Sequence, residues 1–161
     1  MDDVTSDRLD RALQSVLAHV DDTERAGRLG LRLARVDAPT DLGYQRYTPS
    51  VSVVLAGQKR SIVGDDDQLW GRERFIITPV DLPVIAGVVA VEEPAGFVAV
   101  VWQLDPAVVA EVATAMSRPH QDEAPPARLG SWTPALADAF ARLVGLLDAP
   151  EDMTVLAPLV T

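Results

Sequence analysis

The spacing of apolar positions changes along this chain, and the changes divide it into elements. Between residues 6 and 20, Leu9, Leu13, Val16, Leu17 and Val20 recur at the three- and four-residue intervals of one helix face. This predicts an opening amphipathic helix, with Ser6 or Asp7 placed to accept from its first unpaired amides. Asp21-Asp22-Thr23, Gly27 and Gly30 break that pattern, and Leu31, Leu33 and Val36 then alternate with Arg32, Ala34 and Arg35 as in a strand. Residues 51–56 and 59–63 flank Gly57-Gln58, which reads as a β-hairpin with glycine first in a two-residue turn. Gly64-Asp65-Asp66-Asp67 and Gly71-Arg72 read as further turns, followed by the β-rich run 75–78. Pro79 and Pro83 enclose a constrained connection, since each fixes its own φ and lacks a ladder donor. Two strongly apolar strands follow, 84–91 and 97–104, around Glu92-Glu93-Pro94-Ala95-Gly96. Their lack of alternation predicts burial on both faces.

After residue 104 the period lengthens to about 3.6. Asp105-Pro106 supplies a helix cap and a proline suited to the first turn, and Val108, Val109, Val112 and Met116 share a face. Residues 119–126 are polar and proline-rich, as in a surface loop. Thr133-Pro134 repeats the start signal ahead of Leu136, Phe140, Leu143, Val144 and Leu147, the most regular amphipathic helix in the chain. Asp148-Ala149-Pro150 ends it, and residues 154–161 start another, with Pro158 tolerated only near its beginning. That helix stops before it can bury a face, so the ending looks truncated.

A length of 161 residues suits one core, organised as an opening helix and connection (1–30), a β region (31–104) and a helical segment (105–161). The class is mainly β with flanking α-helices, and the meander of short strands suggests a sandwich or small barrel. With 48% hydrophobic and 24% charged residues, the chain has enough apolar surface to fold. Its formal charge of −10 repels polyanions, so this piece is not expected to grip DNA or an anionic membrane surface. The longest uncharged apolar run, residues 82–91, is far short of the ~20 residues that span a bilayer. The acidic start Met1-Asp2-Asp3-Val4 is unlike a secretory signal, which makes the cytoplasm the expected location.

The segment 47–60, from Tyr47-Thr48-Pro49-Ser50 through Val53-Val54 and Gly57 to Lys59-Arg60, carries the pattern Y-x-P-S-x-x-V-V-x-x-G-x-K-R. It resembles the N-terminal domain of one branch of the AraC-type transcription regulators. Val80-Asp81-Leu82-Pro83, Leu104-Asp105-Pro106, Leu147-Asp148-Ala149-Pro150-Glu151-Asp152 and Val155-Leu156-Ala157-Pro158-Leu159 are similar to further stretches of that branch, in order. The resemblance covers most of the chain from about Leu9 onward. It implies a cupin-like barrel, a double-stranded β-helix, followed by an α-helical C-terminal segment. Such a domain senses a small-molecule effector or mediates homodimerisation. It also implies a helix-turn-helix half that is absent from this chain and through which the parent protein contacts DNA.

The chemistry available is narrow. Cysteine is absent, lysine occurs only at Lys59, and the histidines are His19 and His120, far apart and outside the strands. Both histidines read as surface residues rather than metal ligands, and Asp65-Asp66-Asp67 lacks the spacing of a calcium loop. No catalytic residue, metal or cofactor is assigned. Nothing makes a facing acid–base pair of Glu73, Asp81, Glu92 and Glu93; the last two adjoin a turn, while Asp81, enclosed by two prolines, is placed to stabilise the turn or, as the alternative, to face a pocket. Alternation sends Lys59 and Arg60 to opposite faces, so one of them can point inward. Candidates to line a ligand cavity are the large side chains Tyr47, Val53, Leu55, Ile62, Trp70, Phe75, Ile77, Val89, Val100 and Trp102, which equally suit a filled core. Leu136, Phe140, Leu143, Val144 and Leu147 are candidates for a dimer contact or for covering the barrel. The rival readings are a free-standing cupin-like enzyme, an isomerase or metal-dependent oxygenase, and a purely structural dimerisation domain. Effector, target genes and the sense of regulation are not legible.

Overall fold

The computed structural model describes residues 1–115 and 127–160. His120, Met116, the loop 119–126 and the side chain of Val112 lie outside the described residues.

Helix α1 spans Asp3–His19 and begins ahead of the expected start, because Asp2 Oδ1 accepts from the Thr5 amide at 2.7 Å. That backbone hydrogen bond holds the Asp2 carboxyl below its usual range. Asp22, read from sequence as part of a break, instead caps a six-residue helix α2, Thr23–Arg28, by accepting from the Arg25 amide. Among the described residues nine strands follow: β1 Leu31–Val36, β2 Gly43–Tyr47, β3 Ser50–Ala56, β4 Gln58–Val63, β5 Asp66–Gly71, β6 Arg74–Thr78, β7 Leu82–Ala90, β8 Phe97–Gln103 and, late in the chain, β9 Arg128–Ser131. All pair antiparallel in two sheets, ordered β1-β8-β3-β6-β9 and β2-β7-β4-β5. The ladders of the described residues do not close into a barrel.

The expected hairpin at Gly57 does not form. β3 pairs with β6 and β8, whereas β4 pairs with β5 and β7 in the other sheet. The physical reason is burial: Val53, Val54, Leu55 and Ala56 are all fully buried, which requires neighbours on both edges of β3 and layers on both its faces. Gly57 carries the chain from one sheet to the other at φ +80°, with the Ala90 carbonyl oxygen 2.5 Å from where a Cβ would stand. Its amide donates to Glu92 Oε1 at 2.8 Å, tying the corner to the β7–β8 connection. The turn expected at 64–67 is shorter than read, because Val63 already pairs with Asp66 and the acidic residues Asp66 and Asp67 begin β5.

The five-stranded sheet is buried on both faces, and only one of its faces looks towards the second sheet. Its other face packs Leu31, Val53, Leu55, Phe75, Val98 and Val100 against Leu9, Ala12 and Val16 of α1 and against the C-terminal helices. β8 therefore shows the expected burial on both faces. β7 does not: Leu82, Val84, Ala86 and Val88 are buried while Pro83 and Val89 are exposed, because no described helix covers the outer side of its sheet. Pro83 is tolerated inside β7 because only Arg46 pairs with it; the β4 ladder stops at Ile85.

Beyond β8, α3 runs Pro106–Ala115 with Asp105 Oδ1 accepting from the Ala107 amide, as its start signal predicts. Val108 and Val109 are exposed, however, rather than packed on the domain. β9 is a strand that the sequence reading did not foresee, lying between the loop at 119–126 and the helix start at Thr133-Pro134; it adds to the sheet edge beside β6. Helix α4, Pro134–Gly145, is capped by Thr133, and a 3-10 turn over Leu146–Asp148 leads to α5, Pro150–Val160. α5 thus begins at the proline read as a terminator, which suits a first helical turn, and Pro158 falls in its last turn.

Replacing Gly57 by Ala is expected to lower the unfolding free energy by about 2–4 kcal/mol in urea denaturation, combining a disfavoured φ with a backbone clash. Gly27→Ala, where a Cβ meets nothing within 4 Å, should be neutral or stabilising. Equal effects at the two positions would remove Gly57 as the corner.

Candidate functional site

Residues opposite each other on neighbouring strands share a face, and this sorts the cavity candidates into three places. Val53, Leu55, Phe75, Val100 and Trp102 belong to the helix-facing side of the larger sheet, where they form or pack against the main core; Ile77 shares that face and is partly exposed. Ile62, opposite Ile85, lies on the outer side of the smaller sheet, as does the exposed Val89. Only Tyr47 and Trp70 face the space between the sheets. Two of the ten therefore lie between the layers, and the other eight lie in the packing under the helices or on the outer surface.

The residue that joins Tyr47 and Trp70 was not singled out in the sequence. Ser61, 2% exposed, accepts from Trp70 Nε1 at 3.1 Å and shares a hydrogen bond of 3.0 Å with the Tyr47 hydroxyl. Proton counting gives this cluster a property. Tyr47 and Ser61 carry two hydroxyl protons between them, and one serves their mutual bond. The indole N–H occupies an acceptor position on Ser61, so one hydroxyl proton is left to donate to something else. A cavity of about 180 Å³ opens beside them, lined by Tyr47, Ser61, Val63, Asp66, Gln68, Ile76, Ala127 and Arg128. Its body is apolar. Its charged groups are Asp66, which accepts from Gln68 Nε2, and Arg128, which has no ion-pair partner among the described residues.

Lys59, opposite Trp70 and Val88, is the inward member of the Lys59–Arg60 pair. Its Nζ sits 5.1 Å from the Tyr47 ring centroid and 3.5 Å from Gln45 Oε1. Arg60 lies on the other face and grips both oxygens of Asp67, at 2.9 and 2.5 Å. Those bonds hold the Asp67 carboxyl below its usual range and push the guanidinium up. Asp81 pairs with Arg46 at 2.6 Å across the start of β7, at an open surface hollow that Leu82 and Pro83 also line. His19 Nε2 meets Asp148 Oδ1 at 2.9 Å while Ser15 Oγ donates to Asp148 Oδ2, locking α1 to the 3-10 turn. Among the described residues no group of three or more His, Asp or Glu could hold a metal ion. Glu92 and Glu93 are exposed.

Of the two readings of the dimer candidates, the placement matches covering of the sheet for four of the five. Phe140, Leu143, Val144 and Leu147 are buried within this chain against α1 and the larger sheet, and Leu136 alone, 42% exposed, faces outward. Phe140 also closes a stack of rings, 5.6 Å from Trp132, which lies 4.9 Å from Phe75.

Fold and cavity together define a class: a two-layer antiparallel β domain, roofed by helices on one layer, with a small space between the layers. A family model described as AraC-type transcriptional regulator N-terminus matches residues 29–161. The chain belongs to that family and is a regulatory domain of AraC-type regulators. No curated protein matches it. No described helix is long and apolar enough to cross a membrane.

Ser61→Ala should cost about 1–3 kcal/mol in chemical denaturation, because it strands a buried indole N–H, and should shift Trp fluorescence. Phe140→Ala should cost about 3–5 kcal/mol as a core truncation, and a loss below 1 kcal/mol would contradict its placement under α1. The Asp67 carboxyl should titrate by NMR below the ordinary value of about 3.9 and return towards it in Arg60→Gln. A depressed carboxyl stabilises above its unfolded pKa, so this contribution is lost as pH falls through the folded value, never on the alkaline side.

Proposed function

We propose that this domain is the signal-receiving part of its regulator, and that a small effector binds between the sheets and accepts the spare hydroxyl proton of the Tyr47–Ser61 couple. That unassigned proton, buried beside a lined cavity, is the observation that carries the reading. The cavity exceeds the 150 Å³ that holds a benzene molecule, so the effector is a compound of about one ring or its aliphatic equivalent. Successive strands β1 to β4 alternate between the two sheets, as do β6 to β8, which supports reading the pair of sheets as the two halves of a cupin-like double-stranded β-helix. Binding draws the layers together and shifts a two-state arrangement that a separate, basic helix-turn-helix half reports to DNA in the cytoplasm. The charge of −10 on this half fits such a division, since phosphate contacts then fall to the other.

A thermal-shift screen of small metabolites tests this. An effector at about 100 times its Kd adds roughly 2.7 kcal/mol and should raise the melting point by about 5–10 °C. Val63→Phe, which fills the cavity, should abolish that shift. If no compound stabilises the protein, or if stabilisation survives the filled cavity, the sensor reading is lost; turnover of a bound compound would favour an enzyme instead.

A further inference from the structure

We infer that Lys59 is the anion-binding group of the effector site, so that the effector is a compact carboxylate with its charged end at Lys59 and its body in the cavity. The inference rests on the effector reading and adds the ligand's charge to it. Lys59 is the only lysine in a chain with 24 acidic residues. Most of the arginines lie against a carboxylate, and Arg60, the next residue and on the outer face, holds both oxygens of Asp67. Lys59 has no carboxylate partner among the described residues. An inward-facing ammonium loses part of its hydration and gains by pairing, so leaving it unpaired among so many anions calls for a physical reason.

The surroundings hold this ammonium in place without neutralising it. Gln45 Nε2 donates to the Ala86 carbonyl at 3.3 Å, which turns its Oε1 towards Lys59, 3.5 Å from Nζ. The Tyr47 ring supplies the other contact, its centroid 5.1 Å from Nζ. Both partners are uncharged, and an ammonium has three N–H donors, so a donor and the charge are left for a ligand. Position ties them to the cavity. Lys59, Ser61 and Val63 are successive inward residues of β4, and two residues along a strand advance about 7 Å. Tyr47 joins the two places, its ring beside the ammonium and its hydroxyl on Ser61. A carboxylate at Lys59 therefore leaves the rest of a one-ring compound against Ser61 and Val63, where the spare hydroxyl proton meets an acceptor. Asp66 faces inward opposite Val63, at the other end of this row, and repels the charged end towards Lys59. Arg128 also lines the cavity, but its strand position, opposite Ile77, belongs to the helix-facing side of the larger sheet. The overall charge of −10 does not oppose contact binding, since distant surface charges are screened beyond about 8 Å at physiological salt.

A single lysine is also a single reporter. Reductive methylation with isotope-labelled formaldehyde keeps the charge and labels Lys59 alone among the side chains, with the α-amino group as control. Benzoate is the probe and benzamide its uncharged counterpart. Titration with benzoate should move the Lys59 methyl resonance saturably, and benzamide should not. In calorimetry on unlabelled protein, Lys59→Met should weaken benzoate about tenfold or more, the factor that loss of one charge-assisted hydrogen bond brings. Lys59→Arg, which keeps the charge, should retain binding, and Arg128→Gln should leave it unchanged. The inference is overturned if benzoate gives no saturable shift, if benzamide binds equally well, or if Arg128→Gln rather than Lys59→Met removes binding. The two readings fail separately. Benzoate and benzamide bound alike, and both lost in Val63→Phe, would keep the cavity and remove the anion site. Benzoate held through Lys59 but indifferent to Val63→Phe would keep the anion site and remove the cavity reading.

Discussion

At Gly57 an apolar run passes from one sheet into the other, and the space a side chain would need is already taken by the carbonyl of Ala90. The remaining architecture depends on that crossing. A residue that could not adopt φ +80° would strain this crossing, and the burial of Val53, Val54, Leu55 and Ala56 on both sides depends on it. Because the chain does cross, one stretch of sequence supplies the centre of the larger sheet and then Ser61 to the inner face of the smaller one. The Glu92 carboxylate bonded to the Gly57 amide holds the same corner from the β7–β8 connection.

The crossing makes the two sheets unequal. The larger one is roofed by α1, α4 and the 3-10 turn, with Arg72 reaching from the β5–β6 turn to Asp10 and the Ser6 carbonyl of α1, and Arg25 reaching the Leu147 carbonyl. These links tie α1 to the β5–β6 turn and α2 to the 3-10 turn. The smaller sheet has no such cover among the described residues, and its outer side displays Tyr44, Leu69 and Val89. Buried apolar contacts thus concentrate under the helices, while the space between the sheets keeps a cavity of about 180 Å³.

The segment that carries the family pattern can now be read physically. Tyr47 lies over the inner face of β7 and reaches Ser61. Ser50 is buried and donates to the Thr48 carbonyl, Val53 and Val54 point to opposite layers, Gly57 turns the corner, and Lys59 covers the Tyr47 ring. The pattern is therefore one bent strand pair seen in sequence. Helix starts that rest on a proline and a capping side chain, at Asp105-Pro106 and Thr133-Pro134, were legible because the bonds are local. Gly130, whose Cβ would collide with the Phe75 ring, was not, since the ring arrives from a strand more than fifty positions earlier.

The amino-acid sequence by itself determined the mainly β class, the flanking helices, the acidity and the regulator family, because composition, short-range periodicity and capping are written within a few residues of one another. It could not decide which face each strand buries. Val53 and Trp70 look alike as large apolar strand residues, yet one belongs under α1 and the other between the sheets, and Phe140 looked as fit for a partner as for its own core. Those assignments follow from which strands become neighbours, and pairing between distant segments is settled only when burial is optimised over the whole chain. Tertiary structure alone therefore placed Ser61, a small residue without any local signature, between Tyr47 and Trp70.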